Sequence, residues 1–306
     1  MIHRITIVLV ILLSGVAQAQ SLTFEYGEEG VWVKEGNEKV LFFQQKTRSQ
    51  DGKYPRADYI HPLYGLDGTV LTEDFPEDHL HHRGIFWAWH QVIIGDQRMG
   101  DAWECKDFVW DVQEVNGKQE DSALHAKTFW KSPLWTNSDG AQEPFLSEET
   151  KVTVHPKTPD YRVIDFEISL LALVPDLKIG GSEDVKGYSG FSVRMKLPED
   201  IEFTSTQGKV TPTTEAVEAG PWINMSGSLA ADGGHAGIVI MNHPQNPPPE
   251  NQWILRNSAS MQNPVYPGRH PVPVSDKTPT VLRYRLLVYQ GALSEEKLNQ
   301  IYNGWQ

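Results

Sequence analysis

The sequence predicts an all-β protein, a large two-sheet β-sandwich with one C-terminal helix. Three observations carry that expectation. Short runs rich in β-branched and aromatic residues recur along the chain, with Gly, Pro, Asn and Asp between them. The 20 prolines are spread too widely to leave room for long helices. One stretch near residue 300 has the 3.6-residue spacing of an amphipathic helix.

The chain starts with Met1-Ile2-His3-Arg4, continues through an apolar run from Ile5 to Val16, and reaches Ala17-Gln18-Ala19. A basic start, a short greasy segment and an A-x-A ending describe a cleavable signal peptide over residues 1–19. The run is shorter than the ~20 apolar residues a spanning helix needs. No cysteine stands directly after the cleavage point to carry a bacterial lipid anchor, and no later apolar run is long enough for a membrane span. The expectation is a periplasmic or secreted protein with a single β-sandwich domain over residues 20–306.

Strands are expected at residues 31–33, 40–43, 85–89, 161–168, 237–241 and 281–289. In the last of these, apolar and polar residues alternate before merging into Leu286-Leu287-Val288, as in a strand with one buried face. Loops are expected at 48–58, 116–121, 136–149 and the proline-rich 243–251. The helix spans residues 294–305. Ser294 caps it, Glu295 and Glu296 suit its positive end, and Leu293 staples onto Leu298. Leu298, Ile301, Tyr302 and Trp305 give it one apolar face.

A formal charge of −13, one unit lower after loss of Arg4, argues against nucleic acid, whose phosphates need a basic footprint. Cys105 is the one cysteine, so no intrachain disulfide forms. It is either a packed small hydrophobe or a thiol nucleophile. There is no P-loop, no G-x-G-x-x-G before a helix and no G-x-S-x-G elbow.

The densest chemistry is Asp78-His79-Leu80-His81-His82-Arg83-Gly84, three imidazoles with a carboxylate and a guanidinium in seven residues. Pro76 and the acidic pair Glu77-Asp78 disfavour a helix here, leaving an extended piece or a turn. If extended, His79 and His81 share a face while His82 points away. Asp78 draws a neighbouring imidazole towards protonation and Arg83 pushes one away from it, which suits paired acid–base work. A metal held by His79 and His81, with a third ligand from His61, Asp74 or His243, is the alternative. A third reading makes the cluster a polar brace for the loop.

Arg56 and His61 precede the cluster, and Trp87 and Trp89 follow it on one strand face, as core or as a platform for a sugar ring. In the stretch 186–194, Tyr188, Gly190, Ser192 and Arg194 share one side of a presumed strand, leaving room for a ligand. His243 stands at a strand's end, where a catalytic or a bracing group fits equally well.

Arg56-x-x-Tyr59-Ile60-His61-Pro62-Leu63-Tyr64 followed by Asp74-Phe75-Pro76-x-Asp78-His79-x-His81-His82-Arg83-Gly84-Ile85-Phe86 resembles the signature of a widespread bacterial family of exported proteins, labelled "methane oxygenase PmoA" and also known as a domain of unknown function. Gly187-Tyr188-Ser189-Gly190-Phe191 and Asn242-His243-Pro244 with Trp253-Ile254-Leu255-Arg256 resemble its later blocks. The resemblance covers nearly all of the chain after residue 20 and implies company among sugar-utilisation proteins. The strand pattern is also similar to the galactose-mutarotase-like supersandwich. Enzymes of that fold use a His acid with a carboxylate base or, in polysaccharide lyases, Tyr with His, Asn and Arg.

The combined expectation is an exported carbohydrate-active enzyme. His79, His82, Asp78 and His243 are the candidate catalytic residues. Arg56, His61, Arg83, Trp87, Tyr188 and Arg194 are the candidates for holding a small carbohydrate or oligosaccharide. Epimerisation, glycosidic cleavage and β-elimination stay open. No cofactor is expected on this reading, and a divalent metal belongs to the alternative, which includes the oxygenase of the family label. A non-catalytic sugar-binding protein is the other alternative.

Overall fold

The computed structural model describes residues 22–305; the leader expected over residues 1–19 lies outside them. The strand signals resolve into two large antiparallel sheets and three small ones. The first large sheet has six strands, in the order Leu22–Tyr26, Gly30–Glu35, Glu38–Gln44, Tyr59–Leu63, Ile85–Trp89 and Ser189–Val193. The second has nine. Five are Val109–Lys118, Ala123–Lys131, Leu146–Val154, Tyr161–Ala172 and Thr280–Gln290, followed by His235–Asn242, Trp222–Ser228, Glu202–Ser205 and Gly208–Lys209.

Side-chain alternation explains how the sheets meet. Along Tyr161–Ala172 every second residue from Arg162 is buried, because successive side chains leave opposite faces of a strand. The inward residues of both sheets share one hydrophobic cluster. Phe191 of the six-stranded sheet stacks on Tyr284 of the nine-stranded sheet at 4.5 Å and meets Phe166 edge-on at 5.0 Å. At one end the buried pair Arg162–Glu35 joins the two sheets at 2.7 Å.

The helix, Glu295–Asn303, starts where expected, with the Ser294 hydroxyl accepting from the Lys297 N–H. Its Leu298 and Tyr302 lie on Trp222, Val239, Met241, Leu287 and Tyr289, on the outer face of the nine-stranded sheet. The merged run at 286–288 follows from this: Leu286 and Val288 face the sandwich interior and Leu287 faces the helix. Among the described residues no helix is long and apolar enough to cross a membrane.

Three expected loops carry more strand than their composition suggests. Within 48–58, Arg48–Gln50 pairs with Lys53–Arg56 around Asp51 and Gly52, both at positive φ. The Asp-Gly turn was the available signal, and its polar flanks concealed it. The strands Val109–Lys118 and Leu146–Val154 run into the other two loop segments. The polar face expected at 186–194 is closed. All five residues of Ser189–Val193 are buried, and Asn263 Nδ2 covers the edge by donating to the carbonyls of Ser189 (2.7 Å) and Phe191 (2.6 Å). Cys105 is buried in the core.

Candidate functional site

The histidine stretch is a pair of turns. The His79 N–H donates to the Pro76 carbonyl at 3.0 Å and the His82 N–H to the His79 carbonyl at 2.9 Å. A turn places residues three apart on one side, so His79 and His82 stack, 4.7 Å between centroids and 7° between planes. The geometry of an extended piece, with His82 pointing away, is therefore overturned. His81 stands edge-on to both, at 5.7 Å from His79 and 4.5 Å from His82. The chain leaves through Gly84, where a Cβ would lie 2.1 Å from the Ile60 carbonyl oxygen, so only glycine lets the loop sit this close to the neighbouring strand.

Arg194 holds the turns from behind. Its Nη2 donates to both oxygens of Asp78 (2.8 and 2.9 Å), its Nε to Glu73 (2.8 Å), and its backbone N–H to the Gly84 carbonyl (2.7 Å). Its Nη1 lies 3.3 Å from His82 Nδ1. Guanidinium only donates, so that nitrogen accepts and His82 carries its proton on Nε2.

Burial sets the charge states. It depresses the His81 pKa to about 3, helped by the charges of Arg56 and His79. His82 is pushed lower still by burial, then by His81, His79 and Arg194. Both rings are neutral at pH 7. For Asp78, burial acts upwards, but the Arg194 hydrogen bonds and charge outweigh it and hold the carboxyl below its usual range. The Glu104 carboxyl is raised, by burial first and then by Asp101.

These groups line a cleft of about 240 Å³. Its walls include His79, His81, His82, His90, Glu104 and Tyr188, with Trp103 at its base and Lys186 and Ser182 on the rim. His81 Nδ1 is 3.4 Å from Glu104 Oε2, and His79 Nδ1 is 3.5 Å from Asp78 Oδ2. Asp101 organises the far side, accepting from the Glu104 N–H at 2.9 Å and contacting His90 Nδ1 at 2.9 Å. The His90 ring stacks on Trp103 at 5.3 Å, and Tyr188 meets the same indole at 5.6 Å. Arg256 Nη2 donates to the Tyr188 hydroxyl at 2.8 Å.

The predicted residues divide sharply. His79, His81, His82 and Tyr188 converge on the cleft, whereas Asp78 and Arg194 lie outside its walls and line, with Glu73, a separate depression of about 500 Å³. Arg56 and Arg83 are fully buried. Arg56 donates to the carbonyls of Ala102 and Trp103, between the rings of Phe86 and Trp110. Arg83 donates to Asp74 and to the Tyr54 and Arg48 carbonyls, with the Phe75 ring 3.2 Å away. Trp87 is core, its Nε1–H donating to Glu148 at 2.6 Å. His61 pairs with Thr72 Oγ1 at 3.0 Å, outside the cleft. His243 lies against Trp305 in a separate depression of about 320 Å³ on the nine-stranded sheet. A further depression of about 340 Å³ on that sheet, lined by charged residues such as Glu114, Lys127 and Lys151, gathers none of the predicted residues. Among the described residues no three or more His, Cys, Asp or Glu side chains group as a metal cage.

Sequence reasoning missed His90, Asp101, Trp103 and Glu104. The available signal was Asp101-Ala102-Trp103-Glu104, two carboxylates around an indole in a turn-rich segment just after the Trp-Ala-Trp-His strand end.

Fold and cleft together define an all-β sandwich protein with a histidine-lined polar pocket. The chain belongs to a family of unknown function, DUF6807, whose profile matches residues 30–303. No curated protein matches it. A solved structure, YeaD from Salmonella typhimurium, assigned as a mutarotase, aligns over 88% of this chain and 94% of its own at 9% identity and TM-score 0.36. A likeness that loose does not bear on function.

Proposed function

We propose that the histidine cleft binds a small carbohydrate and performs acid–base chemistry on it. The observation that carries this reading is the convergence of four imidazoles, the Glu104 carboxyl and the Tyr188 phenol on one sugar-sized hollow. Burial keeps His81 and His82 neutral, so His81 offers hydroxyl groups one donor and one acceptor without charge, while His82, whose Nδ1 already accepts from Arg194, offers only its Nε2–H. Proton transfer falls to the two groups better suited to it. Glu104, whose raised carboxyl suits a general base, lies 3.4 Å from His81, and His79 is the one ring of the cluster with substantial exposure. Asp78, fixed by Arg194, orients His79. The products of such chemistry include the other anomer or epimer of a reducing sugar. Export through the segment 1–19 would put the cleft where such sugars are taken up.

The test is direct. The mature chain is incubated with reducing sugars and short oligosaccharides, and anomeric and ring-proton signals are followed by NMR. Turnover that is lost in both Glu104→Gln and His79→Ala supports the reading. Saturable binding without turnover makes the protein a sugar-binding module, and neither binding nor turnover ends the carbohydrate reading.

A further inference from the structure

Beneath the cleft, between the two sheets, lies a group of buried charges that the proposed chemistry does not use. Arg56 and Asp58 lead into the strand Tyr59–Leu63 of the six-stranded sheet, and Glu148 belongs to Leu146–Val154 of the nine-stranded sheet. All three are within 1% of complete burial. Glu148 is richly supplied: Oε1 accepts from Trp87 Nε1 (2.6 Å) and Thr150 Oγ1 (2.8 Å), and Oε2 from Trp130 Nε1 (2.9 Å). Asp58 is the opposite case. Neither of its carboxyl oxygens receives a hydrogen bond, and the groups facing it are Glu148, Thr128 and Arg56.

Two ionised carboxylates facing each other in a dry interior repel strongly. A buried oxygen without a donor also forfeits its hydration. One proton removes both penalties, because a protonated carboxyl becomes a donor to its neighbour. We propose that Asp58 and Glu148 hold one proton between them, that their single negative charge balances Arg56, and that this neutral group fixes residues 102–104 at the base of the cleft. The last part rests on Arg56 Nη2, which donates to the carbonyls of Ala102 (2.6 Å) and Trp103 (3.2 Å), immediately before Glu104. Burial and the Glu148 charge push the Asp58 carboxyl well above its ordinary value, and burial raises Glu148 as well, which agrees with the geometry. The proton sharing stands whether or not the cleft processes a sugar.

Infrared spectroscopy of the unmodified mature protein at mildly alkaline pH tests it, with surface carboxyls ionised. A protonated-carboxyl stretch should be present, should shift on carbon-13 labelling of Asp and Glu, and should disappear in Asp58→Asn. Absence of the band from the wild type overturns the proposal without any variant having to fold. Unfolding gives an independent reading. A raised folded-state pKa means the native state holds the extra proton, so wild-type stability falls as pH rises above the ordinary Asp range. Asp58→Asn, whose amide supplies the same donor, should lose that slope; an equal drop in midpoint at every pH overturns the sharing. For the positioning role, the His81 and His90 ring signals in NMR should hold in Asp58→Asn and shift in Arg56→Met. Unmoved signals in Arg56→Met remove that part.

Discussion

His79 lies flat over His82, 4.7 Å away and 7° from parallel, and the lower ring is almost sealed from solvent. Two stacked imidazoles at this distance resist carrying charge together, so the pair divides its labour. The upper ring meets water and ligand. The lower one accepts from Arg194 and stays neutral.

That division predicts opposite outcomes for two alanine variants. His79→Ala removes a half-exposed ring, so stability should change by less than about 0.5 kcal/mol while turnover or ligand affinity collapses. His82→Ala empties a buried site and orphans an Arg194 donor, at a cost of about 2–3 kcal/mol. Chemical denaturation beside a binding titration separates them, and equal stability losses would contradict the assignment.

Acid should weaken the fold earlier than carboxylates alone would make it. His81 and His82 are depressed in the folded state, so the unfolded chain binds protons first. Stability from these rings is complete above pH 6.5 and is lost as pH falls, through the His81 window down to about 3. Each ring one proton behind contributes a slope of about 1.4 kcal/mol per pH unit. His81→Gln should flatten the part of the stability curve just below pH 6.5. An unchanged curve would show that His81 is protonated in the folded protein.

Glu104 should govern the acidic limb of any activity. Its carboxyl is raised, so a general base there becomes competent at a pH above the ordinary Glu range, and activity rises through that limb. Glu104→Gln should abolish turnover with little change in unfolding midpoint. Asp101→Asn should lower the limb towards the ordinary value, since Asp101 is the second cause of the shift. A pH–rate profile checks both.

The bracket at Arg194 gives a separate test. Asp78 is held below its ordinary range, so its contribution is present above that range and lost as pH falls through the folded-state value. Arg194→Met removes the partner of Glu73 and Asp78 and should cost about 3 kcal/mol, with loosening of the turns visible as faster amide exchange at His79 and His82. Native-like protection at those amides would show the bracket to be dispensable.

The proposed acid–base reading and the metal-dependent alternative part at metal analysis. If the acid–base reading holds, mature protein purified without added metal should hold far less than one equivalent, and a chelator should leave any turnover intact. A stoichiometric metal lost together with His81→Ala would instead favour the metal-dependent alternative.

Much of the fold was legible because the sandwich writes itself in period two. Residues 161–168 alternate in burial throughout and 281–289 do so as far as Leu286, and the helix announces its cap and apolar face. The hairpin at Arg48–Arg56 was not legible, since its polar strands contribute little to the core that makes alternation visible. The candidate site was half legible for a similar reason. Three histidines in four positions are conspicuous, but His90 comes from the far end of the strand Ile85–Trp89, and Glu104 from a later turn beside Cys105, which has positive φ. Side-chain type does not reveal depth either. Arg56, Arg83 and Trp87 read as ligand-facing groups, and each is buried with its hydrogen bonds going to other groups of the protein.

The pairing of Ile85–Trp89 with Ser189–Val193, in register from Val193 opposite Ile85 to Ser189 opposite Trp89, has a consequence for how this molecule can diversify. The imidazole turns and Arg194 hang from one end of that ladder, and Tyr188 and His90 from the other. The distance between the two groups is then a fixed gauge, five residues of strand long. Relatives that accept bulkier or smaller guests would be expected to differ in the segment 182–188 and around Ser260, where the cleft is lined by residues outside the strands, while leaving the gauge itself untouched.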